Sequence, residues 1–329
     1  MQRLLKVALA LLIAATMVGA AGFIASAQEA DNDATANTLR VSPLRTDLTV
    51  DPGETGVVKV TITNPSDQPV SVRVIQNDFV AEDEDGTPAI ILDETEYAPS
   101  RSLKRFMTPI ENLTLGPNEA QVVEVELVVP SNAEAGGYFG AIRFAPTSPD
   151  GGGQVNLSPS VASLILLTVS GDAPERLNLT QFEVRRENRA RSFFVNTEGV
   201  VAAIRFENEG KLQAGPFGKI SITKGDEIVH EVDFNDKAQR DMVLPDSARR
   251  WFVPIDGIEG FGRYTMSATF TYGTNNQTIE VSETFWVIPM TILVIAGAAI
   301  LLLIGVVVAI ILNVRRRKAR GPRSFGSRR

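Results

Sequence analysis

The chain has 329 residues, with 39 acidic side chains against 32 basic ones, a single histidine and no cysteine. Without cysteine there is no disulfide framework and no thiol catalysis, and one histidine excludes the two-histidine zinc sites of most zinc hydrolases. Length alone admits two domains once the two ends are set aside.

The chain opens with a leader. Arg3 and Lys6 precede an uncharged run from Val7 to Ile24 that closes on Ala25-Ser26-Ala27. A basic start, an apolar middle and an A-x-A ending are the pattern of a secretory signal over residues 1–27, cleaved or kept as an anchor. Residues 28–38 are polar and acidic and read as a disordered leader.

From residue 39 the pattern changes to period two. "VVKVTITN" (Val57 to Asn64), "QVVEVELVVP" (Gln121 to Pro130) and "SLILLTVSG" (Ser163 to Gly171) alternate and are rich in β-branched residues. "DPGE", "NPSD", "LGPNE" and "YGTNN" supply turn chemistry between such runs. The expected fold class is all-β: two immunoglobulin-like β-sandwich domains followed by one C-terminal transmembrane α-helix. The first sandwich is expected over 39–171 and the second over 172–284, joined by "SGDAPE", which is too short for free jointing.

That division rests on an internal repeat. Gly56-Val57-Val58 leads to Val60-x-Ile62-x-Asn64, and Gly199-Val200-Val201 leads to Ile204-x-Phe206-x-Asn208. Later, "AGGYFGAIRF" (Ala135 to Phe144) and "GRYTMSATF" (Gly262 to Phe270) share a Gly before Tyr, then an apolar residue and a Phe. Tyr138 and Tyr264 sit where a sandwich places a tyrosine corner, with the glycines letting the chain turn; an aromatic sugar platform is the alternative.

Candidate chemistry is sparse. Glu82, Asp83, Glu84 and Asp85 crowd before a Gly turn, but the full calcium loop motif is absent, so a solvated acidic hairpin is expected and calcium is the alternative. "DGGGQ" (Asp150 to Gln154) reads as a loop between the last two strands of the first sandwich, a natural binding surface. His230, in "EIVHEVDF", is expected on the face carrying Ile228, Val232 and Phe234, in a structural role. A chain with this many carboxylates always offers pairs, so a paired-carboxylate glycosidase stays open on composition. No residue is assigned to catalysis, cofactor or metal; no cofactor is expected, and the chain is read as not an enzyme.

Val287 to Val314 contains no charged residue. At about 1.5 Å per residue it exceeds the roughly 30 Å hydrocarbon core of a bilayer. A transmembrane helix is expected over 285–314, with Phe285 and Trp286 in the interfacial aromatic belt. Eight basic residues and no acidic one follow between Arg315 and Arg329, which makes 315–329 a cytoplasmic tail and places the body outside. Setting aside the two basic residues of the leader and the eight of the tail, the body carries 22 basic and 39 acidic residues, a formal −17. Such a body is no nucleic-acid binder. Export without cysteine suggests a prokaryotic cell surface.

Three stretches, "VSPLRTDLTVDPGETGVVKVTITNPSDQPVSVRV", "LTLGPNEAQVVEVELVVPSNAEAGGYFGAIRF" and "LLTVSGD", together resemble the first domain of the bacterial WxL-interacting surface proteins. That resemblance implies a peptidoglycan-binding immunoglobulin-like domain, a second sandwich and a membrane helix with a basic tail. It implies no particular ligand residue, because no diagnostic ligand motif is matched. The expected function is a membrane-anchored extracytoplasmic binding or scaffold protein that contacts cell-wall peptidoglycan or another surface protein. The alternatives are a chaperone-like assembly factor and a wall-active glycosidase. An exposed hydrophobic edge strand favours the first, and two carboxylates about 5 to 9.5 Å apart favour the second.

Overall fold

The computed structural model describes residues 39–147 and 160–319. The expected signal, acidic leader, Asp150–Gln154 loop and the tail beyond Ala319 lie outside the described residues. The first half contributes β1 (Arg40–Ser42), β2 (Arg45–Val50), β3 (Thr55–Thr63), β4 (Val70–Ala81), β5 (Pro88–Ile90), β6 (Leu113–Leu115), β7 (Ala120–Val128), β8 (Gly136–Thr147) and β9 (Val161–Val169). The second half contributes β10 (Leu177–Arg186), β11 (Arg189–Ala190), β12 (Phe193–Phe194), β13 (Val201–Asn208), β14 (Phe217–Lys224), β15 (Glu227–Phe234), β16 (Ser247–Pro254), β17 (Gly262–Tyr272) and β18 (Gln277–Val287). Helix α1 (Met290–Ala319) follows.

Each half is a sandwich because alternation gives every strand one apolar face to bury. In the first, the sheet β1-β3-β7 faces the sheet β2-β9-β8-β4-β5, with β6 beside β4. Val58, Val60 and Ile62 of β3 and Val123, Val125 and Leu127 of β7 meet Ile142, Phe144, Ile165 and Leu167 in one core. In the second, β11-β10-β13-β16 faces β12-β18-β17-β14-β15. There aromatic rings fill the middle: Phe270 packs edge-on at 5.1 Å from Phe206 and 5.0 Å from Phe234. In both sandwiches the chain crosses early from one sheet to the other, and a short segment then pairs in parallel with the last strand: β2 with β9, directly after β1, and β12 with β18, after the β10–β11 hairpin.

The sequence repeat is a structural repeat. Asn64 directly follows β3 and Asn208 ends the equivalent β13; both are fully buried. Asn64 Nδ2 donates to the carbonyls of Gln68 and Gly116 at 2.7 and 2.8 Å, and its Oδ1 accepts from Ser66 N. Asn208 Nδ2 donates to Leu212 O and Val243 O at 2.8 and 2.9 Å, and its Oδ1 accepts from Gly210 N. Both tyrosines form corners: Tyr138 Oη donates to Glu134 O at 2.9 Å, and Tyr264 Oη to Glu259 O at 2.5 Å. Tyr264 is fully buried against Phe285, and Tyr138 leans on Phe106, so neither ring is a free sugar platform.

Three expectations need correction. Gly136 and Gly137 lie within β8 and do not form a turn. They admit the second sandwich: Gly137 N donates to Lys211 O at 2.8 Å, and a Cβ on Gly136 would stand 2.9 Å from that same carbonyl. His230 does not share its face with Ile228. A bulge between the pairs Ile222–His230 and Thr223–Ile228 inserts Val229, which packs on the core while Ile228 is exposed. Lastly, Phe285 belongs to no membrane belt. The strand β18 continues through Val287 because Trp286 N and Ile288 N are bonded to Ser192 O and Phe194 O, and Phe285 is buried between Tyr264 and Phe194. Only after Pro289, whose carbonyl accepts from Ile292 N, does the helix begin.

From Met290 to Arg316, α1 is long and apolar enough to cross a membrane. None of its most apolar stretch is buried against the body.

Candidate functional site at the junction and an open strand edge

The two sandwiches meet across contacts that the sequence alone does not bring together. Phe79 of β4, Phe139 and Ala141 of β8 and Leu166 of β9 form a small apolar cluster on the outer face of the first sandwich. Met242 and Leu244, from the segment before β16, cover it. Around this patch the junction is latched by polar groups. Glu84 accepts from Arg205 Nε at 2.8 Å and lies 2.8 Å from Arg250 NH2, while Arg250 N donates to Glu84 O at 2.6 Å. That carboxylate holds the Arg205 guanidinium above its ordinary pKa, chiefly through the hydrogen bond. Across the junction Arg45 NH1 donates to Arg240 O at 2.7 Å, and Gln213 Nε2 to Thr168 Oγ1 at 3.0 Å. Lys211 pairs with Glu134.

The acidic run therefore does something other than the sequence suggested. Glu84 is spent on the second sandwich, so the run is not simply a solvated hairpin. Asp85 Oδ1 accepts from Thr87 N at 2.7 Å and caps its own turn, which holds the carboxyl below its ordinary pKa. Among the described residues no three acidic or histidine side chains converge to hold a metal ion.

Beside the latch lies a cleft of ≈ 80 Å³ whose polar wall includes Arg45, Asp83 and Arg249. Burial pushes the Arg249 guanidinium below its ordinary pKa, and the carboxylates of Asp241 and Asp85 pull it back up. Asp83 is the cleft's lining carboxylate. Arg45 is already engaged by both oxygens of Asp47, at 3.0 and 2.9 Å.

A second feature adjoins the first along β9. Pairing of β2 with β9 starts at Arg45–Leu164, and Leu164 N donates to Leu44 O. Upstream of that point the chain has crossed to the other sheet, where β1 pairs with β3. In a strand alternate residues direct their N–H and C=O to the same side. Ala162 therefore presents its main-chain pair to the side that β2 has vacated, and no described residue partners it there. Bordering this open edge is a shallow, mostly apolar groove of ≈ 490 Å³ lined by Leu39, Arg40, Val41, Leu44, Val161 and Ala162. Leu44 is 70% exposed, although it sits beside a buried core.

None of these residues was singled out from the sequence. Leu44 follows a proline and precedes an arginine, which reads as an ordinary strand break. A signal was present in "VSPLR": a leucine in a proline-interrupted first strand is a candidate for exposure.

No protein-family model matches this chain, and no curated protein sequence matches it. Among solved structures it is similar to the Class 5 fimbriae chaperone CfaA, at 13% identity over 75% of this chain and 99% of that chain, with a TM-score of 0.39. The CupB2 chaperone of Pseudomonas aeruginosa is similar at 11% identity over 74% and 99%, with a TM-score of 0.33. The E. coli chaperone DraB is similar at 14% identity over 76% and 96%, with a TM-score of 0.30.

Proposed function

We propose that this chain is a membrane-anchored, extracytoplasmic assembly factor that holds an extended segment of another surface protein as an added strand on its first sandwich. The observation that carries the reading is the main chain of Ala162, which no described residue partners on the side β2 has left, beside the exposed apolar groove at Leu44. An open edge offers N–H and C=O groups that only another main chain satisfies in register, and the groove beside it suits an apolar side chain of that strand. Arg40 at the rim favours a segment carrying acidic groups.

Other features support the setting. The latch at Glu84 and the apolar cluster at Leu166 give the body one geometry on which a captured segment can be held. Read as a membrane span, α1 keeps the body at the outer surface, with the basic residues after Val314 inside. The sequence resemblance to WxL-interacting proteins agrees with a surface location. A glycosidase reading has less to rest on, since the junction cleft is lined by the single carboxylate of Asp83.

The test is site-specific photocrosslinking at Leu44 in intact cells, with mass spectrometry of the adducts. Adducts to one contiguous segment of an exported protein support the reading. Adducts to peptidoglycan fragments, or sedimentation of the protein with purified wall sacculi, overturn it in favour of wall-polymer binding.

A further inference from the structure

At the foot of the second sandwich three aromatic rings lie exposed together. Trp286 of β18 is 44% exposed, Phe193 of β12 is 60% exposed and Phe261, before β17, is 50% exposed. Phe193 and Trp286 are direct cross-strand partners, and the rings of Phe261 and Trp286 are 6.1 Å apart. Arg263 pairs with Trp286 from the other side, so Phe193, Trp286 and Arg263 form a row across three strands on the outer sheet face. Main-chain bonds fix this row: Ser192 O accepts from Trp286 N and Phe194 O from Ile288 N.

Exposed aromatic rings grouped in this way disfavour contact with water, and a monomer rarely leaves such a group uncovered without a partner. The chain itself supplies the partner. Met290, the first residue of the apolar helix, follows Trp286 by three intervening residues, of which Val287 is still in the strand and Pro289 lacks an N–H. No linker separates the row from the helix. Tryptophan beside an arginine that can reach outward is the side-chain chemistry that partitions to the headgroup layer of a bilayer.

We propose that the second sandwich is seated in the membrane interface through Phe193, Phe261 and Trp286, so that the body stands in a fixed orientation and does not swivel above α1. This inference rests on the reading of α1 as a membrane span. A seated base turns the latched junction and the open edge of β9 toward a constant direction relative to the surface.

The experiment uses the full chain reconstituted in vesicles of phosphatidylcholine and phosphatidylglycerol. Trp251 and Trp286 are the two tryptophans, so Trp251→Phe leaves Trp286 as the sole emitter. Bromine atoms placed shallowly on the lipid chains should quench Trp286 strongly, deeper bromines should quench it less, and aqueous acrylamide should have little access. Adding Phe193→Ser and Phe261→Ser should reverse that order of access. Because the chain has no cysteine, Phe193→Cys carrying an environment-sensitive dye gives a second readout that keeps Trp251; its emission should shift to the blue on vesicles. Trp286 quenched by acrylamide and untouched by bromolipid, with the dye at 193 reporting water, overturns the proposal. A control with Leu301→Trp as sole emitter separates the two readings. Quenching there by deep bromines means the span holds and only the seating fails; its absence means that the membrane anchor fails, and the seating with it.

Discussion

Glu84 of the first sandwich and Arg250 of the second are joined twice, by a 2.8 Å ion pair between side chains and by a 2.6 Å hydrogen bond from Arg250 N to Glu84 O. The main-chain bond fixes the position of the acidic hairpin, and the side chain then also reaches Arg205. Glu84→Ala removes the ionic half and leaves the main-chain half. Half-exposed pairs of this kind contribute about 1 kcal/mol or less, so the body should still fold. Spin labels placed on either side of the junction should report a broader distance distribution. An unchanged distribution would mean that the Glu84 carboxylate does not help to hold the junction.

Gly136→Ala should loosen the same junction more severely. Its φ of 145° disfavours a side chain, and the new Cβ would crowd Lys211 O and the Arg101 guanidinium. A loss of about 1–3 kcal/mol in chemical denaturation is expected, with the two sandwiches separating before either unfolds. A single cooperative transition at wild-type stability would contradict the close approach.

The buried asparagines should behave as a matched pair. Asn64→Ala or Asn208→Ala removes the amide's bonds to two carbonyls and leaves one N–H without its acceptor, at a cost of about 1–3 kcal/mol to the affected sandwich. Urea melts of each variant check this, and a loss below about 0.5 kcal/mol would mean that water replaces the amide.

The corner tyrosines should differ. Tyr264→Phe takes the hydroxyl of a fully buried ring away from a part-buried bond to Glu259 O and should cost about 1–2 kcal/mol. Tyr138 makes its bond to Glu134 O at the surface, where water can replace it, so Tyr138→Phe should cost about 0.5 kcal/mol or less. Equal losses would contradict that assignment.

Acid should act on the junction through Glu134. The hydrogen bond and charge of Lys211, with a smaller contribution from Arg101, hold its carboxyl below the ordinary glutamate value. A depressed carboxyl contributes stability that is whole above the unfolded value of about 4.3 and is lost as pH falls through the lower folded value. The junction distance should therefore be constant between neutrality and about pH 5 and drift below about 4.3. Glu134→Gln should remove this component, and loosening already at pH 6 would contradict it.

Local alternation made the strands and the sandwich class legible, because each strand's apolar face is written in consecutive residues. The equivalence of Asn64 and Asn208 was legible as a repeat, although its hydrogen bonds were not. The junction was hidden because its members are far apart in the chain. Glu84 reads like any acidic hairpin until Arg205 and Arg250 are folded against it. His230 was placed with Ile228 because a period-two reading has no way to insert the extra residue of a bulge. Phe285 and Trp286 illustrate the same limit at one residue's distance: composition assigns both to the membrane, and the register of β18 buries one and exposes the other.

The most direct test of the strand-capture account is the yield of photocrosslinks at Leu44 in intact cells carrying Ala162→Pro, compared with Ala162→Ser. Proline removes the outward N–H at the open edge and keeps the bonds that β9 makes to β8 through its alternate residues. The account predicts that the proline variant, folded and present at the normal level, loses the adduct to the exported-protein segment while the serine variant keeps it. An undiminished adduct in the proline variant would contradict capture by strand addition.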